Sequence, residues 1–147
     1  MKHKVTSETT ALEVLKLKAH IGEACSSMTS LLNEEVMEAK QGFVKFKAQA
    51  DGNHLNMMGK VHGGYYATLL DAAMGCAVHT TLEKGEVYAT LEMSIKMVKF
   101  LDKNKPVIIE GKVVSSSNKI SVAEAKMFSE DGQLYALGTS TCYMKRF

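Results

Sequence analysis

The sequence predicts an α+β domain in which one long apolar helix lies against an antiparallel sheet, and three observations carry that prediction. Residues 63–82 are apolar on every side of a helix and hold one routinely ionised side chain, Asp71. A helix of that kind belongs in an interior. Over 86–100, Val87, Ala89, Leu91, Met93, Ile95 and Met97 alternate with Tyr88, Thr90, Glu92, Ser94 and Lys96, the period of a half-buried strand. Three further β-like runs, 107–115, 120–129 and 133–143, follow, separated by the turn-forming stretches SSNK and EDG. A sheet with one apolar face and a helix with no polar face satisfy each other only when the sheet curls around the helix or a second subunit covers the remainder.

The earlier elements complete the order. In ETTALEVLKLKAH, Leu12, Leu15 and Ala19 fall on one helical stripe with Lys16 and Lys18 away from it, and Gly22 is placed to end that helix. Residues 26–30 form a polar connector. From 36 to 50 the pattern changes to period two, with Val44, Phe46 and Ala48 on one face and Lys45, Lys47 and Gln49 on the other, which predicts a strand ended by DGN at 51–53. The count is then about five strands, with residues 1–35 a helical segment packed on a domain spanning 36–147.

Composition narrows the function classes. A chain of 147 residues suits a single domain, and its net charge of +2 is too small to argue for nucleic acid. Arg146 is the single arginine, so any bound phosphate is met mainly by lysines or backbone amides. Cys25, Cys76 and Cys142 form no close pair in sequence, which points away from a disulfide framework and from common zinc spacings. No signal-peptide pattern precedes the first helix, and a cytoplasmic location is expected. Asp71, with His79, Thr80 and Thr81, argues against reading 63–82 as a membrane span.

A lone carboxylate in an apolar helix is costly unless it is partnered or used. The bland reading of Asp71 is a capped or half-exposed structural acid. Its spacing from other residues favours use: Asn56 lies six residues before His62-Gly63-Gly64, and Asp71 follows nine after the His, with Met74-Gly75 beyond. The composite N-x5-HGG-x6-D pattern, with the strand TLEMSIKM, resembles hotdog-fold acyl-CoA thioesterases of the phenylacetate-degradation type, within the 4-hydroxybenzoyl-CoA thioesterase-like group. The resemblance covers roughly residues 36 to 145.

What the resemblance implies is specific. The long helix would be wrapped by a curled sheet, and the unit would be a homodimer, often paired again into a tetramer, with active sites between subunits. Asp71 would be the catalytic carboxylate, as general base on water or as nucleophile. Gly63 would offer its N–H to the thioester oxygen, Asn56 and His62 would position substrate or water from the neighbouring subunit, and Thr90 would hold the attacking water. Gly64, Met57, Met58 and Met74 fall in the same stretch and are the expected substrate-binding residues. The substrate would be a small molecule, an acyl- or aryl-CoA, with coenzyme A part of the substrate and no metal or other cofactor needed.

The residues also have local readings. His62 and Asn56 suit turns, the Gly pair is a turn in any fold, and Thr90 falls on the polar side of its strand by alternation. His54 and His79 read as surface or packing residues, and the cysteines as small core residues. Met57 stands where relatives commonly carry proline. The same fold hosts non-catalytic acyl-CoA sensors and hydratases or dehydratases of acyl thioesters, the latter with a proline-rich His loop that is absent around His62.

Overall fold

The computed structural model describes residues 9–147. The elements run α1 (Ala11–Ile21), α2 (Ser27–Ser30), β1 (Glu34–Lys40), β2 (Phe43–Gln49), a 3-10 turn (Gly52–His54), α3 (Gly63–His79), β3 (Glu86–Met97), β4 (Pro106–Ser116), β5 (Ile120–Ser129) and β6 (Leu134–Arg146). All strands join one antiparallel sheet in the order β1-β2-β4-β5-β6-β3. The sheet therefore has six strands, not about five, because the single strand expected over 36–50 is a hairpin. Gly42, at φ 76, makes the turn. The alternation is regular only from Val44 onward; Val36 and Ala39 are buried in the first strand three residues apart, so that strand shows no clean period of two, and the turn between the strands is marked by Gly42 alone. A bulge at Met37 adjusts the phase.

α1 begins where a capping box forms: the Glu13 N–H donates to Thr10 Oγ1 at 3.3 Å, and the Thr10 N–H donates to Glu13 Oε2 at 2.7 Å. It stops at Gly22 in the left-handed conformation. Its apolar stripe packs inward, with Leu15 buried and Leu12 and Ala19 against the core. The polar connector after it contains the one-turn helix α2, capped by Ser26.

α3 fills the concave side of the sheet. Tyr65, Tyr66, Leu69, Leu70, Ala73, Met74, Ala77 and Val78 are all buried. The approach to β4 is close enough to require glycine: a Cβ on Gly111 would lie 2.3 Å from the Ala73 carbonyl oxygen. What the sheet leaves half-open on α3 is a stripe of small residues, Ala67, Thr68 and Ala72, with Asp71 among them. No helix among the described residues is long and apolar enough to cross a membrane.

β3 departs from its alternation in one instructive way. A bulge between Thr90 and Glu92 leaves Leu91 outside the pairing with β6 and shifts the phase. Before the bulge, Tyr88 and Thr90 face α3 while Val87 and Leu91, 46% and 62% exposed, point away. After it, Ile95 packs on the core and Met97 reaches Gly63. Thr90 is therefore on the inner face, contrary to the placement its sequence pattern suggests. β3 is also an edge strand, with its outer side unpaired.

Candidate active site

Asp71 sits in the third turn of α3, half-buried, with β3 across from it. The Thr90 hydroxyl donates to Asp71 Oδ1 at 3.1 Å. Cys142, fully buried on β6 directly opposite Thr90, brings its Sγ to 3.9 Å from the same hydroxyl and can donate to it. Asp71 Oδ2 makes no hydrogen bond among the described residues. One oxygen is thus oriented by a fixed donor while the other is available to accept a proton.

Tyr88, two residues before Thr90 on the same inner face, completes this wall. A Cβ on Gly75 would lie 2.6 Å from the Tyr88 hydroxyl oxygen, so the ring crosses α3 one turn beyond Asp71 in space that only glycine leaves. Burial pushes the Tyr88 phenol up, with the nearby Cys76 and Asp71 adding to the shift, so it stays a neutral hydroxyl. The alternation hid Tyr88 as it hid Thr90, since it placed both on the solvent side. The signal that finds them is the bulge.

The start of α3 forms a second constellation. His62 is its N-cap, and the Gly64 N–H donates to His62 Nδ1 at 2.8 Å. Nδ1 is then the acceptor nitrogen, leaving Nε2 with the proton, and the residue is exposed. Because the cap takes Gly64, the Gly63 N–H has no partner among the described residues, as the first amides of a helix generally lack one within the helix. Asn56 closes its own loop: its Oδ1 accepts from the N–H groups of Met58 at 2.9 Å and Lys60 at 3.2 Å. Its side-chain NH2 is uncommitted among the described residues.

Asn56 and Gly63 line one open cleft of about 260 Å³ with Val61, Tyr66, Met97 and Phe100. Tyr66 builds its wall by accepting from the Leu101 N–H at 2.7 Å and donating to the Lys99 carbonyl at 3.1 Å, which pins the segment after β3 to the helix. Lys99 and Phe100 come from a segment after β3 that carries no motif, while Tyr66 of α3 and the final β3 residue, Met97, read from the sequence only as core-facing positions. Met57 and Met58 are exposed on the loop, whereas Met74 is fully buried in the core near Gly138. His54 packs on Tyr65 and holds the loop through Leu31 O at 2.7 Å.

The two constellations are separated. Gly63 and Asp71 are eight residues apart on one helix, which sets them about 12 Å apart along its axis. A carbonyl held by Gly63 is beyond the reach of a water held by Asp71 of the same chain. Among the described residues no group of His, Cys, Asp and Glu side chains is arranged to hold a metal ion.

Comparison with known proteins is consistent with this geometry. Residues 58–136 match the family model described as the Thioesterase superfamily. A candidate esterase of Archaeoglobus fulgidus is 27% identical over 113 residues, covering 77% of this chain and 71% of its own. A hypothetical thioesterase from Streptococcus pneumoniae, crystallised with coenzyme A, is 25% identical, with a TM-score of 0.72 over 78% of this chain and 87% of that one. A variant of the phenylacetic acid degradation protein PaaI from Thermus thermophilus is 23% identical, with a TM-score of 0.74 over 80% of this chain and 98% of that one, and shares the fold.

Proposed function

The chain belongs to the thioesterase superfamily, and from that membership we propose that it hydrolyses an acyl- or aryl-CoA thioester to the free acid and coenzyme A. The observation that carries the reading is the Thr90–Asp71 contact at 3.1 Å, which orients the one carboxylate of α3 and leaves its second oxygen available.

The chemistry needs a base for water and donors for the developing oxyanion. Asp71 takes the water proton, or attacks the carbonyl itself, while Thr90 orients it. The Gly63 N–H at the helix start polarises the thioester oxygen, where the helix dipole also favours negative charge. The Asn56 amide and the His62 Nε2–H supply the remaining polar contacts, and the Gly64 amide fixes His62. With water as the nucleophile, the C–S bond breaks as the tetrahedral intermediate collapses, the thiolate takes up the proton held by Asp71, and the acid is released. With Asp71 as the nucleophile, loss of the thiolate leaves an acyl–Asp71 anhydride that a water then hydrolyses to the acid. The reaction needs no metal or redox cofactor, and coenzyme A arrives with the substrate. Lys99 lines the Asn56 cleft and is a cation placed to meet its phosphates.

The separation of Asp71 from Gly63 in one chain supports a site made by two copies, with Asp71 of one facing the cleft of the other. The half-open small-residue stripe on α3 and the unpaired edge of β3 are the surfaces that such a homodimer covers. Tetramers and a cytoplasmic location belong to the same reading.

A panel of aromatic and aliphatic acyl-CoAs, with the released thiol detected, tests it on the wild type and on Asp71→Asn. Turnover of at least one substrate is expected, with kcat lowered by about 10²–10⁴ in Asp71→Asn, the typical worth of a positioned base. Equal hydrolysis by both proteins removes Asp71 from the mechanism.

A further inference from the structure

The half-open stripe of α3 changes character after Asp71. Up to Ala72 it is made of small side chains, Ala67 and Thr68 among them. Four residues beyond Asp71 stands Gly75, which is buried although it has no side chain of its own. Tyr88 covers it: a Cβ at that position would lie 2.6 Å from the phenol oxygen, 3.0 Å from Cε2 and 3.1 Å from Cζ. One turn further along α3 the same ring meets His79, with ring centroids 5.3 Å apart. Tyr88 thus lies across the helix from Gly75 to His79. Thr90, two residues on in β3, reaches Asp71 at 3.1 Å. The strip of α3 between Asp71 and Gly75 is therefore flanked by Thr90 and ended by Tyr88.

A thioester carbon has two arms, and a site made by two copies gives each arm a direction. The CoA arm leaves through the open Asn56 cleft toward Lys99 of one chain. The acyl arm is left on the Asp71 side of the other. When two α3 helices pair about a twofold axis with Asp71 of each opposite Gly63 of the other, the axis passes midway between them, at Ala67. The facing helix then covers Ala67 and Thr68. Past Asp71 that facing helix has stopped at its first residue, so the acyl arm has one way to run along α3, toward Gly75.

We propose, on the two-copy thioesterase reading, that Tyr88 is the specificity-determining residue of the site: it ends the acyl pocket one helical turn beyond Asp71 and confines the substrate to short acyl groups. Four residues of helix span about 6 Å. A carbon chain with bonds of about 1.5 Å covers that distance in about five carbons, so acyl groups of up to about six carbons end before the ring. Tyr88 cannot sink toward α3 to admit a longer chain, because its hydroxyl already fills the space that Gly75 leaves. Each methylene that finds no seat forfeits about fourfold in binding.

The test is the ratio of kcat/KM for decanoyl-CoA to that for butyryl-CoA, measured on the full chain as wild type, Tyr88→Ala, Tyr88→Leu and Tyr88→Phe. The ratio is taken within one protein, so a smaller folded fraction in a variant cancels from it. The wild type is expected to favour butyryl-CoA. The ratio should rise at least about tenfold in Tyr88→Ala, rise less in Tyr88→Leu, and keep its wild-type value in Tyr88→Phe, which retains the ring. A wild type that prefers decanoyl-CoA, or turns over aryl-CoA alone, overturns the proposal and leaves the thioesterase reading standing. The same holds for a ratio unchanged in both Tyr88→Ala and Tyr88→Leu, or raised equally in Tyr88→Phe. No turnover of any acyl-CoA by the wild type removes the thioesterase reading and the proposal with it.

Discussion

At the scale of single residues, Thr90 is the side chain whose role differs most from its appearance. Its one hydroxyl proton goes to Asp71. A hydrogen bond to a charged group contributes about 1.5–3 kcal/mol, so Thr90→Val should lower kcat by at least about tenfold with KM little changed, and Thr90→Ser should retain most activity. A Val variant as fast as the wild type would reduce Thr90 to a β-former. His79 gives a stability prediction with a definite sign. Burial beside the Tyr88 ring holds its imidazole below the ordinary value of 6.5. The folded state therefore prefers the neutral ring, and this contribution is full above 6.5 and lost as pH falls through the lowered folded-state value. The urea midpoint should fall between about pH 7.5 and about pH 5, and His79→Gln should flatten that fall. An unchanged pH slope in the variant assigns the acid sensitivity to other groups. Glu34 acts oppositely, since burial raises its carboxyl and its ionisation opposes folding as pH rises.

At the scale of elements, the helix and its sheet are joined through backbone as much as through side chains. Gly111 on β4 lies under Ala73, and the atom a Cβ would meet at 2.3 Å is a carbonyl oxygen that cannot swing aside. Gly111→Ala must lift α3 from the sheet, at a cost of about 1–3 kcal/mol for an overpacked core. Gly52→Ala, with nothing within 4 Å, is the control whose urea midpoint should not move. If both variants match the wild type, the approach of α3 to β4 is looser than described. The same elements explain what was legible in the sequence. Residues 63–79 had to be a buried helix because no arrangement of 3.6-residue periodicity gives them a polar face, and Asp71 was conspicuous for the same reason. The bulge at Leu91 was hidden because it changes strand phase within an unbroken apolar–polar alternation, and hydrophobic period reports a face without saying when the face turns over; the hairpin at Gly42 was hidden because its first strand is phase-shifted by its own bulge and its turn is marked by one glycine. Thr90 and Tyr88 were misplaced by the bulge at Leu91. The cleft around Tyr66 and Phe100 was hidden for a different reason: a segment without regular structure is positioned by its hydrogen bonds to Tyr66, and these leave no trace in a pattern.

At the scale of the whole molecule, the question is whether catalysis belongs to one chain or to two. The Gly63 amide and the Asp71 carboxylate sit on a rigid helix about 12 Å apart along its axis, and hydrogen-bond reach around a single carbonyl carbon is about 3 Å. No rotamer of Asp71 closes that gap, so a second copy is the simplest source of the missing half. In a twofold dimer each site would then take Asp71 from one chain and the Asn56–Gly63 cleft from the other. This arrangement is testable without knowing the best substrate, because it predicts complementation. Asp71→Asn and Asn56→Ala should each be weak alone. When the two are unfolded together and refolded as a mixture, half of the dimers combine one chain of each kind. Each mixed dimer has one site with both lesions and one with neither, so activity should recover to about a quarter of the wild type by random pairing of equal copies. Recovery should require exchange of subunits, and simple mixing of slowly dissociating dimers should give less. A mixture that stays at the mean of its two components, while sedimentation shows that mixed dimers have formed, would place both halves of each site within a single chain.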